Sequence, residues 1–157
     1  MRGRMRAGIA AALTGVAATA LPGVAAAAPA CSAEVAPAQE KAMTQLIAAE
    51  RADADAPKVR KHRTLLRAGR TKSVAMARGA AFAHSRDAMP WANGRAAGQN
   101  LALASTVRQA FTAMRRSAPH LANIRSRQWR FAAVGAARSC DGLLYFTVNF
   151  MGPPPRS

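Results

Sequence analysis

Acidic residues are scarce: seven aspartates and glutamates stand against 23 lysines and arginines in 157 residues, a formal charge of +16. Aromatics are equally sparse, at 5% of the chain with a single tyrosine, and there are only two cysteines. No His-Glu-x-x-His zinc motif and no Gly-x-Ser-x-Gly nucleophile elbow occurs anywhere. The lack of interleaved aromatics argues against a dedicated nucleic-acid module, which uses such rings as stacking platforms. The length excludes a multidomain machine. Half of the residues are apolar, but many are alanine, which buries little area at about 25 cal/mol per Å², so the expected core is thin.

The first thirty residues form a segment apart. Arg2, Arg4 and Arg6 precede an uncharged run from Ala7 to Leu21, then Pro22-Gly23 and small residues ending Ala28-Pro29-Ala30. This pattern predicts a secretory signal peptide over residues 1–30, cleaved after Ala26, Ala27 or Ala30, with a single domain over 31–157. Alanine is weakly hydrophobic, Pro22 interrupts the run, and no basic stop-transfer cluster follows, so no transmembrane anchor is expected. Cys31 directly after the segment admits a lipid-anchored form as the minor alternative. Export to an oxidising compartment favours pairing of Cys31 with Cys140. That bond would close a loop of about 110 residues, worth ~4 to 5 kcal/mol in the chain-entropy treatment.

Removal of the leader leaves 20 bases and 7 acids, and their distribution is uneven. Glu34, Glu40, Glu50, Asp53 and Asp55 cluster before Ala56, while only Asp87 and Asp141 follow it. Such a cationic surface attracts anionic envelope polymers, lipid headgroups and, non-specifically, nucleic acid.

Periodicity predicts an amphipathic helix over 37–52, with Pro37 in its first turn and Met43, Leu46 and Ile47 inward. Residues 53–63, including the basic run Lys58 to Arg63, read as a solvated connection. Thr64 is the expected cap of a second helix with Leu65, Leu66, Val74 and Ala77 inward and Gly79 as its stop. Gly94 and Gly98 suggest irregular structure. Ser105 or Thr106 then caps a third helix carrying Val107, Ala110, Phe111 and Met114 on one face, which Pro119 ends or kinks. Residues 131–137 and 143–150 read as strands joined by an Asp141-Gly142 turn, a C-terminal β-hairpin. Helices first and strands last indicate α+β. Phe82, Phe111, Met114 and Trp129 are assigned to the core, and His62 to a loop.

In order, Ala49-Glu50-Arg51, Phe82-Ala83-His84-Ser85, Gly98-Gln99-Asn100-Leu101-Ala102, Ser117 to Ile124, Val134-Gly135 and Val148-Asn149-Phe150 resemble the CAP (SCP-like) superfamily of cysteine-rich secretory, antigen 5 and pathogenesis-related proteins, in its short bacterial form. The resemblance covers about residues 40–150. It implies a three-layer α-β-α sandwich and a central cavity that in the family carries two histidines and two glutamates. Here the histidines fall on His84 and His120, but Gln99 replaces one glutamate and Ser117 stands near the second. The implied cavity residues are therefore His84, Gln99, Asn100, Ser117 and His120, with His84 and His120 the candidate ligands for zinc. Two imidazoles are fewer protein ligands than a retained zinc site uses. Neither histidine has a carboxylate assigned to orient it for general-base work. Ser85 and Ser117 read as caps or cavity hydrogen-bonders. The expected function is a secreted, monomeric, non-enzymatic protein binding lipid or anionic envelope material through its cavity and cationic surface. The alternatives are a zinc-dependent or hydrolytic enzyme using the two histidines, and a cationic antimicrobial or polyanion-binding protein.

Overall fold

Leu144, Phe146, Val148 and Phe150 alternate with Tyr145, Thr147, Asn149 and Met151 along the last strand, and the two sets face different helices. The computed structural model describes residues 31–85, 89 and 92–154; the signal-peptide reading falls on residues outside these. Among the described residues the elements run β1 (Glu34–Val35), α1 (Pro37–Asp53), β2 (Arg60–Lys61), α2 (Arg63–Ala77), β3 (Ala97–Ala104), α3 (Val107–Arg116), α4 (Ala118–Arg125), β4 (Phe131–Arg138) and β5 (Leu144–Met151). The sheet order is β1-β4-β5-β3, with β2 also beside β4. All pairings are antiparallel except that of β2, which runs parallel to β4. The fold is α+β.

One face of the sheet buries Phe146, Val148 and Phe150 with Met43 and Ile47 of α1, Phe111 and Met114 of α3 and Ile124 of α4. Trp129 joins this core, stacked on Phe150 at 5.8 Å. The other face carries α2, with Leu65 packed against Ala133 and Met151. Ser73 on the same helix donates to the Gly135 carbonyl, which leaves it to accept from the Thr147 hydroxyl. The helix crosses the sheet where Gly69 meets Gly135.

Of the two buried glutamates of α1, Glu40 ties the helix to α2 and β4, and Glu50 ties it to α3 and α4 on its own face. Glu40, buried, accepts two bonds from Arg70 of α2 at 2.8 and 2.6 Å and one from the Ala136 N–H of β4 at 3.3 Å. Glu50, also buried, receives Arg125 at 2.6 Å and Arg115 at 2.8 Å. Arg51 is fully enclosed and donates to the carbonyls of Ile124, Ser126 and Pro57. It thereby satisfies groups at the C-terminus of α4, where a positive charge also complements the helix dipole. Cys31 and Cys140 form the expected disulfide, tying the approach to β1 to the β4–β5 turn. The Cys31 thiol is thus committed, and a lipid thioether there would exclude the bond.

Several local expectations are corrected. Residues 97–104 form a full strand despite their glycine, glutamine and asparagine, because eight residues pair in register with β5. Gly98 is needed there for space: a Cβ would lie 2.9 Å from the Trp129 ring. Part of the connection over 53–63 is β2, which holds His62 extended, so α2 starts at Arg63 and Thr64 comes too late to cap it. The buried line of α2 is Leu65, Gly69, Ser73 and Met76. Val74 and Ala77 are only half-buried, since a glycine and a serine hold inward positions that an apolar count overlooks. Phe82 is 49% exposed on the segment after α2 instead of in the core. By contrast Thr106 caps α3 through Gln109 N–H, Gly79 and Gly142 take positive φ as stop and turn, and the terminal hairpin forms as expected.

Candidate functional site

Neighbouring residues of a strand point to opposite faces, so Gln99 and Asn100 cannot share one cavity wall. Gln99 faces the α2 side and donates through Nε2 to Asn149 Oδ1 at 3.0 Å. Asn149 in turn donates to the Leu65 carbonyl at 3.1 Å. Asn100 faces the other side, donating to the His120 carbonyl and accepting from Asn123, both at 2.9 Å. Asn123 is fixed by its own carbonyl, which accepts from Trp129 Nε1 at 2.7 Å. Both amides are buried and satisfied by these bonds. Asn123 and Asn149 complete the cluster. Sequence reasoning missed their part in it, and the visible signal was two amides inside otherwise apolar elements.

His84 and His120 approach each other at β3, with ring centroids 6.3 Å apart and planes at 60°. His84 Nδ1 lies 3.3 Å from Gln99 Oε1, which also accepts from the Ser85 N–H at 3.3 Å. The role of Nδ1 follows from its neighbours. The Leu65 carbonyl can only accept, so Asn149 turns its NH₂ toward it and its oxygen toward Gln99. Gln99 must then present NH₂ to Asn149 and oxygen to His84, an orientation the donating Ser85 N–H requires independently. His84 therefore donates from Nδ1. His120 is half-buried, and burial, followed by the charge of His84, pushes its imidazole below the ordinary value of 6.5.

Of the sequence-derived residues, His84, Gln99, Asn100 and His120 gather around β3. Ser117 does not join them: it separates α3 from α4, with no side-chain cap bond. Its carbonyl accepts from Leu121 N–H. Ser85 contributes its backbone, not its hydroxyl, to Gln99.

The donor set does not fit a resident zinc ion. Among the described residues no three His, Cys, Asp or Glu side chains converge. The Gln99 oxygen already takes two bonds and is not offered to a metal. Two imidazoles remain, short of the three or four protein ligands such a site uses.

No protein-family model matches the chain, and no curated protein does. Among solved structures, an outer surface protein from Borrelia burgdorferi is similar, with a TM-score of 0.69 at 13% sequence identity over 77% of this chain and 98% of that one. At this identity the likeness is one of fold alone. No helix among the described residues is long and apolar enough to cross a membrane.

Proposed function

We propose that the chain is an exported, non-enzymatic binding domain of the CAP type, a three-layer sandwich that attaches to anionic envelope material or lipid through its cationic surface. The observation that carries this reading is where the ion pairs lie. Among the described residues every ion pair falls on Glu40 or Glu50, both buried. These two carboxylates are taken up by Arg70, Arg115 and Arg125, and among the described residues most of the other arginines and lysines, Arg51 apart, are exposed with no ion-pair partner. The helices on both faces of the sheet support the CAP-type sandwich, and the disulfide and the leader pattern of residues 1–30 support export.

A zinc-dependent or hydrolytic enzyme working through His84 and His120 is the less supported reading, because among the described residues no carboxylate joins the two imidazoles to complete a ligand set or orient a base. The test is co-sedimentation of the protein, recovered from its secretion medium, with anionic and with zwitterionic vesicles across a salt series. Retention by the anionic vesicles that weakens with salt is the expected result. Equal partition to both vesicle types, or to neither, would sink the proposal. A native mass spectrum of the same sample reports the leader cleavage, the disulfide and any held adduct.

A further inference from the structure

Helix α2 carries Arg63, Arg67, Arg70 and Lys72 and not one acidic residue. At 100° per residue Arg63, Arg67, Arg70, Val74 and Arg78 fall within about 80° of one another, on the side opposite Leu65, Gly69 and Met76. The buried line faces the sheet, so the arginines form an outward ridge about 22 Å long. Arg63, Arg67 and Arg78 are exposed. Arg70 spends Nε and Nη2 on Glu40 and retains Nη1. At the N-terminal end β2 adds the exposed Arg60 and Lys61, so the basic run of the sequence continues directly into the ridge.

This arrangement works against the helix itself. Arg63 occupies the first helical position, the first turn has no acid, and the N-cap His62 makes no side-chain bond. Positive charge at that end opposes the helix dipole, and basic residues three and four apart repel. A local rule broken along a whole face, with no acid on the helix and Glu40 of α1 pairing Arg70 alone, points to a use for the charge outside the domain. Beside the ridge, α2 and β1 border a shallow, open groove of about 420 Å³ between Arg70 and Arg78, lined by Val35, Thr71, Val74 and Ala75. Guanidinium groups thus alternate with apolar surface.

We propose that this face binds a linear polyol-phosphate polymer, the guanidinium groups holding successive phosphodiesters and the groove taking the short carbon spacers between them. Guanidinium forks match phosphate oxygens, and a rigid helix spaces them regularly. α2 itself carries no aromatic residue on which to stack bases, the rings about it being His62 with Phe131 at its start and Phe82 after its end, which favours a polymer without bases over nucleic acid. The inference rests on the cationic-surface reading above and assigns it a partner and a face.

The experiment measures binding of poly(glycerol phosphate) and of an oligothymidylate of equal charge to the full mature chain, by fluorescence anisotropy from 50 to about 300 mM salt, where released counterions report the phosphates engaged. Three proteins are compared: the natural sequence, a ridge variant (Arg63→Gln, Arg67→Gln, Arg78→Gln), and a control of equal charge change (Lys41→Gln, Arg108→Gln, Arg116→Gln). All six positions are exposed, and circular dichroism checks that each variant folds. The expected result is at least about ten-fold weaker poly(glycerol phosphate) binding and a salt slope shallower by about 2 to 3 for the ridge variant, with the control within about two-fold. Equal losses in both variants would overturn the ridge while leaving the cationic-surface reading intact. Tighter binding of oligothymidylate would overturn the assigned polymer. No binding of either by the natural sequence would overturn the polymer and the ridge, and the cationic-surface reading falls with them if anionic vesicles also fail to retain the protein.

Discussion

Gly69 of α2 and Gly135 of β4 meet backbone to backbone: a Cβ added at Gly135 would lie 2.1 Å from the Gly69 carbonyl carbon and 2.3 Å from the Arg70 nitrogen. No side chain fits there, so the helix rests on the strand at its closest possible approach. Gly135→Ala is expected to destabilise the domain by at least about 3 kcal/mol, since backbone must move to admit the methyl. Gly142→Ala, in open space but at φ +86, is expected to lose only about 1 kcal/mol. Urea unfolding of both variants checks the ranking, and similar losses would contradict the close approach.

The disulfide closes the described domain almost end to end, joining residues 109 apart. Its removal in a Cys31→Ser, Cys140→Ser variant is expected to lower stability by about 4 kcal/mol, through the freedom returned to the unfolded chain. Denaturant midpoints of that variant and the oxidised protein give the difference directly. A midpoint unchanged by the substitution would show that the bond does not brace the fold.

Glu40 joins three elements through one buried carboxylate, and its loss leaves the Ala136 N–H and Arg70 unpartnered together. Glu40→Ala is expected to lose about 2 to 4 kcal/mol, the range for stranding buried partners, discounted because Arg70 is partly exposed. Glu40→Gln, which keeps one oxygen for the N–H, is expected to lose less. Thermal unfolding of the pair separates the charge from the hydrogen bond.

His120 is held below its ordinary value by burial and then by His84. The folded chain therefore binds this proton less readily than the unfolded chain. The stabilisation is fully present above pH 6.5, declines as the unfolded state protonates below it, and is lost once pH has fallen through the folded value. Between pH 7.5 and 5 the natural protein is expected to lose stability more steeply than a His120→Gln variant, by no more than about 1.4 kcal/mol per pH unit for one proton. Unfolding curves along that series test the slope, and a histidine NMR titration tests the direction of the shift itself.

Gln99→Glu restores the carboxylate that the CAP resemblance implies, but its oxygen then faces Asn149 Oδ1, which loses its donor. A loss of about 1 to 3 kcal/mol at neutral pH is expected, shrinking as pH falls and the carboxyl regains a proton to donate. The added ligand beside His84 and His120 is also expected to raise zinc affinity, read by calorimetric titration. Zinc affinity equal in both proteins would show that the amide is not what limits the site.

Much of this was written in local chemistry. Alternation along 131–138 and 144–151 with Asp141-Gly142 between them specified the hairpin, because period two and a turn at positive φ are properties of adjacent residues. The face of Val107, Ala110, Phe111 and Met114, and the Thr106 cap, were legible for the same reason. Two thirds of the candidate site was also visible, in that the histidines and the amide pair could be named. Their arrangement could not. Gln99 and Asn100 sit in a segment whose composition disfavours a strand, and only pairing with β5 makes it one. Once it is a strand, the two amides part to opposite faces, and the remote partners Asn149 and Asn123 decide which end of each amide, oxygen or NH₂, meets the histidine beside it. Charge tells the same story: the sequence determined that this domain is strongly basic, but only the packing of α1 decided that Glu40 and Glu50 turn inward and that the arginines of α2 face out. Local rules act over a few residues, whereas which charge is neutralised depends on contacts between elements 30 to 75 positions apart.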